Sequence, residues 1–313
     1  MSTNVIGIDA GGTHVRAGVI DINSGEFVTD IIKIGSPSTP EEFVDGINPL
    51  VNSGFEIYAI GLGIAGGWNK KGIFKHSPNN PKLIDKSVSD EIEQAYGIPT
   101  RKNNDLKVGG RGMIEYCDPN ILNLLYNQGT GVNIALALHG YLLPGSEAGH
   151  IPNLIARFGR RCGCNRMNCN EAFAGGASVL IMVDEALCRL DKKDREDLRS
   201  LQQENSWNNN SLLDWAYTQN MVWAKQIYEE TVIPALALNL GIIHLVAAYE
   251  KVWWTGGFGQ YMLKLPGLEE MLRTEMQKIM VHQVADQIPF EDLPENAPVL
   301  GAGLLVAEEL GLY

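Results

Sequence analysis

The spacing of apolar residues at the start of the chain predicts two strands joined by a glycine turn. Val5 to Asp9 (VIGID) is an apolar run, AGGT supplies the turn, and VRAGVID continues in extended form from Val15. A third strand is predicted over Phe27 to Ile34. Together these segments predict a meander with a glycine-rich tip.

The rest of the first half alternates between helical and extended patterns. Acidic residues in the first turn and apolar residues at helical spacing predict a helix over Pro40 to Val51. A buried strand starts at Tyr58 and runs into a glycine turn. An amphipathic helix is predicted over Leu83 to Tyr96, and a short strand over Ile98 to Lys102.

The order of strand, glycine turn and strand occurs a second time, beginning near Ile121. ILNLLYNQGTG is an apolar strand that ends in a Gly-Thr-Gly turn, and VNIALAL continues as the next strand. This weak internal repeat predicts two related lobes with a ligand cleft between them. We place the boundary at Cys117 to Asn120, with a smaller α/β lobe over residues 1–118 and a larger one over residues 119–299.

The second half is predicted to be mostly helical after Ala172. Leu212 to Tyr249 has a long helical pattern that Pro234 and Gly241 are expected to interrupt. KVWWTGGFG, from Lys251, predicts a strand followed by a third glycine turn. VLGAGLLVAEELG predicts a closing helix that ends at Gly311, and we expect this helix, at about 300–313, to pack back on the first lobe.

Composition and charge narrow the class of protein. The chain has 313 residues, which favours two lobes over one core, and its 45% hydrophobic and 20% charged residues are typical of globular proteins. A net charge of -12 argues against a nucleic-acid or anionic-membrane partner. No export signal or membrane span is evident, so we expect a soluble, cytoplasmic protein.

Two of the glycine turns have the composition of phosphate-binding loops. Glycine lets backbone N–H groups converge on a phosphate, and a hydroxyl side chain adds a donor. Asp9 ends its strand, where a carboxylate can hold magnesium directly or through water. Each turn alone could be only a tight turn, but two at equivalent places favour phosphate binding. The candidate phosphate-binding residues are Gly11, Gly12, Thr13, Gly129 and Thr130.

The chain lacks the motifs of two other nucleotide-binding architectures. It has no GxxxxGK[ST] loop and no GxGxxG opening a helix after the first strand. Both P-loop and dinucleotide-binding folds are therefore disfavoured.

Asn104 and Asp105 follow the short strand after Pro99 and form a candidate catalytic pair. A carboxylate there can accept the proton of an attacking hydroxyl, and the neighbouring amide can orient that hydroxyl. Asn-Asp is also common as a turn or a helix cap, and this alternative stays open.

One histidine and three cysteines form a candidate metal site. His150 precedes Cys162, Cys164 and Cys169, and this set can complete a tetrahedral zinc site. A filled tetrahedron leaves no position for a catalytic water, so the metal would be structural. Free thiols or a disulfide are the alternatives. Three clustered cysteines in a chain without an export signal favour the metal.

The motifs together resemble the ROK family of sugar kinases (repressors, open reading frames and kinases). The ExGH motif with the following cysteine segment is specific to that family, whereas single glycine turns are shared by many actin-like ATPases. The matching motifs are DAGGT at Asp9, GIAGG at Gly63, NND at Asn103, GTG at Gly129, EAGH at Glu147, CGCNRMNCNE at Cys162, TGGFG at Thr255 and GAG at Gly301.

The resemblance implies a fold and a reaction. The fold would be α/β, a two-lobed actin-like ATPase with a ribonuclease-H-like core in each lobe. The reaction would be ATP-dependent phosphorylation of a hexose hydroxyl, with magnesium on the nucleotide, structural zinc and a homodimeric assembly.

The resemblance also implies roles for individual residues. Asp105 would be the general base, and Gly256 and Gly257 would lie near the adenosine of ATP. His150 would give one ring nitrogen to zinc and turn the other toward the sugar. The implied sugar-binding residues are Gly66, Gly67, Asn104, Glu147, His150 and Glu171.

Two departures and two alternatives accompany the resemblance. Asn165 and Asn168 stand where the family has glycines, and asparagine tolerates the positive φ that such a loop requires. Lys107 follows the Asn-Asp pair where small residues are usual. Glucose at its 6-hydroxyl is the first choice of substrate; fructose, mannose, N-acetylglucosamine and N-acetylmannosamine are alternatives. A non-enzymatic ROK regulator is disfavoured by the acidic charge and by the few residues ahead of the first strand.

Overall fold

The computed structural model describes residues 3–12, 14–77, 81–143, 147–156, 158–280 and 284–312. The chain divides into two compact units. The first comprises Met1–Asn120, Ala137–Leu143 and Leu293–Tyr313, and the second comprises Ile121–Leu136 and Pro144–Asp292. Each unit is built on a β-sheet with helices packed against it.

The strands fall into two main sheets and one short hairpin. Their bounds are β1 Asn4–Ala10, β2 His14–Asp21, β3 Glu26–Phe27, β4 Ile32–Gly35, β5 Ile57–Ile64, β6 Gly67–Trp68, β7 Phe74–His76, β8 Thr100–Asn103, β9 Asn123–Gln128, β10 Val132–Leu138, β11 Tyr141–Leu142, β12 Lys251–Thr255 and β13 Phe290–Asp292. One sheet runs β3-β2-β1-β5-β8, with β4 also paired to β2, and the other runs β11-β10-β9-β12-β13. Both sheets therefore have the same strand order, as the internal repeat predicted.

The helices alternate with the strands in the first unit and dominate the second. Their bounds are α1 Pro40–Val51, α2 Val88–Tyr96, α3 Asp105–Ile114, α4 Glu171–Ala174, α5 Gly176–Arg189, α6 Lys192–Glu204, α7 Asn209–Thr218, α8 Val222–Ile227, α9 Ile233–Ala247, α10 Gly257–Met262, α11 Leu268–Gln277 and α12 Ala297–Leu310. The predicted helix over Pro40 to Val51 is confirmed, and Thr39 caps it by accepting from the Glu42 N–H. Gly311 ends α12 in the left-handed conformation, as predicted.

The single strand predicted over Phe27 to Ile34 is wrong, because the segment is two short strands. Both β3 and β4 pair with β2, and the regular backbone pairing is interrupted between them. The hydroxyl of Thr29 accepts from the Val19 N–H at 3.1 Å, so a side chain replaces a backbone acceptor there. Alternation of apolar residues does not reveal this substitution.

The helix predicted to start at Leu83 starts five residues later, at Val88. Backbone groups just before α2 pair with Phe74 of β7 instead: Phe74 donates to the Lys86 carbonyl and accepts from the Asp85 N–H. Asp85 takes a left-handed conformation with φ 63°. A tertiary contact thus overrides the local helical spacing.

The long helical pattern from Leu212 breaks at a different place from the one predicted. The chain leaves the helix between Thr218 and Val222, whereas Pro234 lies in the first turn of α9 and Gly241 lies inside α9. A π-helical turn, Tyr228–Val232, precedes α9, and this turn accommodates Pro234. Among the described residues, one stretch, Val222–Ala247, has the length and apolarity of a membrane span, but 56% of its most apolar window is buried in the protein, as in a core helix.

The C-terminal helix α12 packs on the first unit through unusually close backbone contacts. A Cβ added to Gly61 of β5 would lie 1.9 Å from the Ala302 carbonyl oxygen, and one added to Gly7 of β1 would lie 2.0 Å from that of Val299. Glycine is therefore required where the helix crosses these strands. This contact holds the last element of the chain against β1 and β5.

We expect Gly61→Ala to destabilise the protein by at least about 3 kcal/mol, because a rigid backbone must move to admit the methyl group. The matched control is Gly35→Ala in β4, where no atom lies within 4 Å of the added Cβ. Urea unfolding of both variants measures the difference. Equal stability of the two variants would contradict the close packing of α12.

Candidate functional site

The predicted site residues of the first unit lie at one edge of its sheet. Strands β1, β5 and β8 run parallel, with Asp9 opposite Gly63 and Gly63 opposite Asn103. The glycine turn after β1, the Gly66–Gly67 segment after β5 and the Asn104–Asp105 pair after β8 all follow carboxyl ends of strands. Ligands of open α/β sheets bind at this edge.

Asp9 is a buried carboxylate that is paired with Arg16. The two residues face each other across the antiparallel β1–β2 pair, and Arg16 Nη2 donates to Asp9 Oδ2 at 2.7 Å. Burial raises the pKa of Asp9, while the charge and hydrogen bond of Arg16 act in the opposite direction. The second Arg16 nitrogen lies 3.1 Å from Glu295, just before α12.

The sequence reasoning missed Arg16, although a signal was present. Its register opposite Asp9 follows from counting residues across the tight turn of the predicted hairpin. Gly11 and Gly12 form that turn, and the Gly11 N–H donates to the His14 carbonyl at 3.0 Å. The predicted phosphate-binding residue Thr13 lies outside the described residues.

Asn104 and Asp105 begin helix α3. The Asn104 side chain accepts from the Leu106 N–H at 3.0 Å, so it caps the helix as the alternative reading proposed. Asp105 is the first residue of the helix, where the positive end of the helix dipole favours a carboxylate. The capping reading and the catalytic reading are therefore compatible, since Asn104 orients the turn that presents Asp105.

The glycine turns of the second unit also lie side by side. Gly129 and Thr130 follow β9, Gly256 and Gly257 follow β12, and these strands are parallel neighbours with Asn127 opposite Thr255. The carbonyls of Gly129 and Thr130 accept from the first N–H groups of α5, at 2.9 and 3.0 Å. These contacts fix the Gly-Thr-Gly turn against the start of a long helix.

The four predicted metal ligands come together. One ligand atom each from His150, Cys162, Cys164 and Cys169 lies within 4.8 Å of all the others. The Cys164 and Cys169 sulfurs are 3.5 Å apart, and Cys162 Sγ is 3.7 Å from His150 Nδ1. A tetrahedral zinc with Zn–S bonds of about 2.3 Å requires ligand separations near these values. All five cysteines are free thiols, so the disulfide alternative is wrong for this structure.

Both asparagines in the cysteine segment take the conformation expected of the glycines they replace. Asn165 has φ 68° and Asn168 has φ 59°. Asn168 also accepts from the Arg160 N–H through its side chain, at 2.9 Å. The prediction that asparagine can support this loop is confirmed.

Glu171 joins the cysteine cluster to the neighbouring strand. One carboxylate oxygen accepts from the Val132 N–H at 3.0 Å, and the other lies 3.4 Å from Cys162 Sγ. Burial raises the pKa of the Cys162 thiol, so metal binding would displace a proton from it. Glu147 is exposed, with its carboxylate 3.8 Å from His150 Nε2, the ring nitrogen directed away from the cluster.

Asn239 of α9 supports the segment before His150 through a hydrogen bond to Ala148. The sequence reasoning also missed this residue. It is fully buried, accepts from the Tyr126 hydroxyl at 2.9 Å and donates to the Ala148 carbonyl at 2.8 Å. A buried amide is stable only when it is hydrogen-bonded. The signal was a polar residue within an otherwise apolar helical pattern.

Residues 5–309 match the sequence profile of the ROK family. The chain belongs to the ROK family. The glucokinase of Streptomyces coelicolor is 29% identical over 185 residues, which cover 56% of this ROK chain and 57% of that protein's length. The N-acetylmannosamine kinase of Shigella flexneri is 28% identical over 198 residues, or 60% of this chain and 67% of the relative.

Solved ROK structures share the fold. A ROK family glucokinase from Streptomyces griseus, in complex with glucose and AMPPNP, superposes with a TM-score of 0.72 at 21% identity, over 96% of this chain and 98% of that one. A ROK family transcriptional regulator, a homologue of the E. coli MLC protein, superposes with a TM-score of 0.70 at 15% identity, over 99% of this chain and 82% of that one. The predicted fold class is confirmed: this ROK protein has the α/β, two-lobed actin-like ATPase fold with a ribonuclease-H-like core in each lobe.

Proposed function

We propose that this ROK protein is an ATP-dependent sugar kinase that transfers the γ-phosphoryl group to a hexose, with the 6-hydroxyl of glucose as the preferred acceptor. The observation that carries the proposal is the shared sheet edge of the first unit. A glycine turn with an adjacent buried carboxylate follows β1, and Asp105 starts the helix after β8. Phosphoryl transfer needs phosphate-binding donors and a base that accepts the hydroxyl proton.

Asp105 is assigned the role of general base. Its carboxylate accepts the proton of the attacking sugar hydroxyl, and Asn104 holds the turn and orients the same sugar. Asp105 lies in the first turn of α3, where the helix dipole is favourable for a carboxylate. Gly66, Gly67, Glu147, His150 and Glu171 are assigned to the remaining sugar hydroxyls.

The glycine turns are assigned to the nucleotide. The two phosphate-facing turns would be Gly11, Gly12 and Thr13, and Gly129 and Thr130, while Gly256 and Gly257 would lie near the adenosine. A magnesium ion would be held beside Asp9, whose Oδ2 accepts from Arg16. When bound, the ion neutralises phosphate charge.

The cysteine cluster is assigned to structural zinc. Three thiols and one imidazole are the ligand set that zinc prefers, and they fill its tetrahedron. His150 Nδ1 faces the sulfurs, which leaves Nε2 for the sugar. The metal would thus orient His150 and, through Cys162, the neighbouring Glu171.

A coupled assay of ADP release with ATP and a panel of sugars tests the proposal. We expect kcat/KM for glucose to exceed that for fructose, mannose, N-acetylglucosamine and N-acetylmannosamine by about tenfold or more, because a site that hydrogen-bonds the hydroxyls of one sugar rejects another that leaves its polar groups unpaired. A higher kcat/KM for an N-acetylhexosamine would make that sugar the preferred substrate instead of glucose. No ADP release with any of the five would reject the kinase.

The regulator remains the alternative function, because the fold is shared with a ROK transcriptional regulator. A net charge of -12 disfavours binding to DNA. A gel-shift assay with genomic fragments separates the two functions, since tight binding to a specific sequence would support the regulator. We also propose that the protein is cytoplasmic and forms a homodimer. Sedimentation of the purified protein tests the homodimer.

A further inference from the structure

Lys102 is a partly buried cation inside the first unit, two residues before Asn104. Its strand, β8, pairs with β5, and Lys102 lies opposite Leu62 in that pairing. Strands β6 and β7 form a short hairpin after β5, with Gly67 opposite His76 and Trp68 opposite Phe74. The Lys102 side chain bridges β8 and this hairpin.

The surroundings of the Lys102 amine match a charged ammonium group. Its Nζ donates to the Gly72 carbonyl, to Ser89 Oγ at 3.1 Å and to Ser87 Oγ at 3.4 Å. An ammonium group has three N–H donors, and three acceptors meet them here. The same nitrogen lies 5.6 Å from the ring centroids of both Trp68 and Phe74, which adds cation–π attraction.

The position of Lys102 is unfavourable for stability. Burial lowers the pKa of its amine, with Asp90 opposing that change. Ser87 is the N-cap residue of α2, yet its side chain makes no capping bond and instead faces Lys102. A cation near a helix N-terminus also opposes the helix dipole. A residue with unfavourable local interactions, such as a buried charge, is expected at sites where function requires it.

Apart from Lys102, the hairpin is held by backbone bonds of Phe74 with Asp85 and Lys86, and its turn is organised by Asn69. The Asn69 side chain accepts from the Lys71 and Ile73 N–H groups, at 2.9 and 3.1 Å, and the Gly72 N–H donates to the Asn69 carbonyl. These bonds shape the turn but do not join it to β8. Among the described residues, the Lys102 ammonium joins the hairpin turn to β8 through its hydrogen bond to the Gly72 carbonyl.

We propose that Lys102 is a positioning residue that holds the β6–β7 hairpin against β8 and thereby sets the affinity of the protein for its sugar. The proposal rests on the proposed kinase function, in which Gly67 on the hairpin and Asn104 and Asp105 after β8 contact one sugar. Lys102 acts through these residues and does not contact the sugar itself. Loss of the Lys102 side chain removes this link between the hairpin and the strand that leads to Asp105.

The variant Lys102→Met removes the charge and keeps the length and apolar bulk of the side chain. We expect KM for the sugar to rise about tenfold, since hydrogen bonds from a charged group are lost, with kcat and KM for ATP within about threefold of wild type. The melting temperature should stay constant or rise, because an apolar residue replaces a buried charge. Lys75→Met is the matched control, because Lys75 is on the same hairpin but pairs with Asp85 in solvent.

Hydrogen exchange of the sugar-free protein gives a second measurement that does not depend on activity. Amides of the hairpin should exchange faster in Lys102→Met than in Lys75→Met, while those of β1 and β5 should not change. Unchanged sugar KM together with unchanged hairpin exchange would overturn the proposal. A lowered melting temperature with equal losses for every substrate would overturn it too, since that pattern indicates a purely structural role.

The two proposals fail in different ways. Wild-type protein that phosphorylates no sugar would reject the kinase function and, with it, the effect of Lys102 on sugar affinity. An active wild type with an unaffected Lys102→Met variant would reject the role of Lys102 alone.

Discussion

Replacing Asp105 by asparagine is expected to lower kcat for sugar phosphorylation by about a thousandfold, because an amide cannot accept the proton of the attacking hydroxyl. Sugar affinity should change by less than about threefold, since asparagine has the same size and can still hydrogen-bond the hydroxyl. Helix α3 should remain intact, because its cap is Asn104 and not Asp105. Turnover in the coupled assay and sugar binding by calorimetry give the two quantities.

The matched control is Asp194→Asn, which removes a carboxylate from the first turn of α6, where the residue is exposed. This variant should keep kcat within about twofold of wild type, as expected for a surface substitution. Near-normal turnover of Asp105→Asn would show that another group accepts the proton. Equal losses in both variants would point to a general electrostatic effect.

Purified protein is expected to contain about one zinc ion per chain, because one histidine and three cysteines bring ligand atoms within 4.8 Å of one another. Replacing Cys169 by serine should remove most of that zinc and lower the melting temperature by more than about 10 °C, since structural zinc contributes folding free energy directly. Cys169 is a buried residue, and Cys162 of the same cluster contacts both His150 and Glu171. Sugar binding should therefore fall together with zinc content.

Elemental analysis and thermal unfolding test this expectation, with Cys188→Ser as the control. Cys188 is exposed and lies outside the cluster, so its loss should leave zinc content and melting temperature unchanged. Zinc far below one per chain in wild-type protein, with every thiol reactive in the folded state, would exclude the metal. Retention of zinc by Cys169→Ser would exclude Cys169 as a ligand.

The elements that sequence reasoning placed well have strong local causes. Helix α1 has a capping threonine, an initial proline and acidic residues in its first turn. The metal ligands His150 to Cys169 lie within one short segment, so their approach needs only local folding. Asn165 and Asn168 could be judged from the conformational freedom of asparagine alone.

The elements that were misplaced depend on partners distant in the sequence. The start of α2 moved because Asp85 and Lys86 bond to Phe74, and the strand after Phe27 broke because Thr29 bonds to Val19. Local periodicity carries no information about such pairs. The interruption assigned to Pro234 takes the form of a π-helical turn just before it. The one assigned to Gly241 was wrong, because α9 continues through Gly241, which packs against Ile279.

The sequence alone indicated the ROK family, the glycine turns, the Asn104–Asp105 pair and the candidate metal ligands, because each is a set of residue types at short, fixed spacing. Only the tertiary structure revealed the ion pair of Arg16 with Glu295, the support of Ala148 by Asn239, and the attachment of Lys102 to its hairpin. These contacts join segments that are distant along the chain and are brought together by packing and strand register. Backbone preferences that act over a few residues cannot specify them.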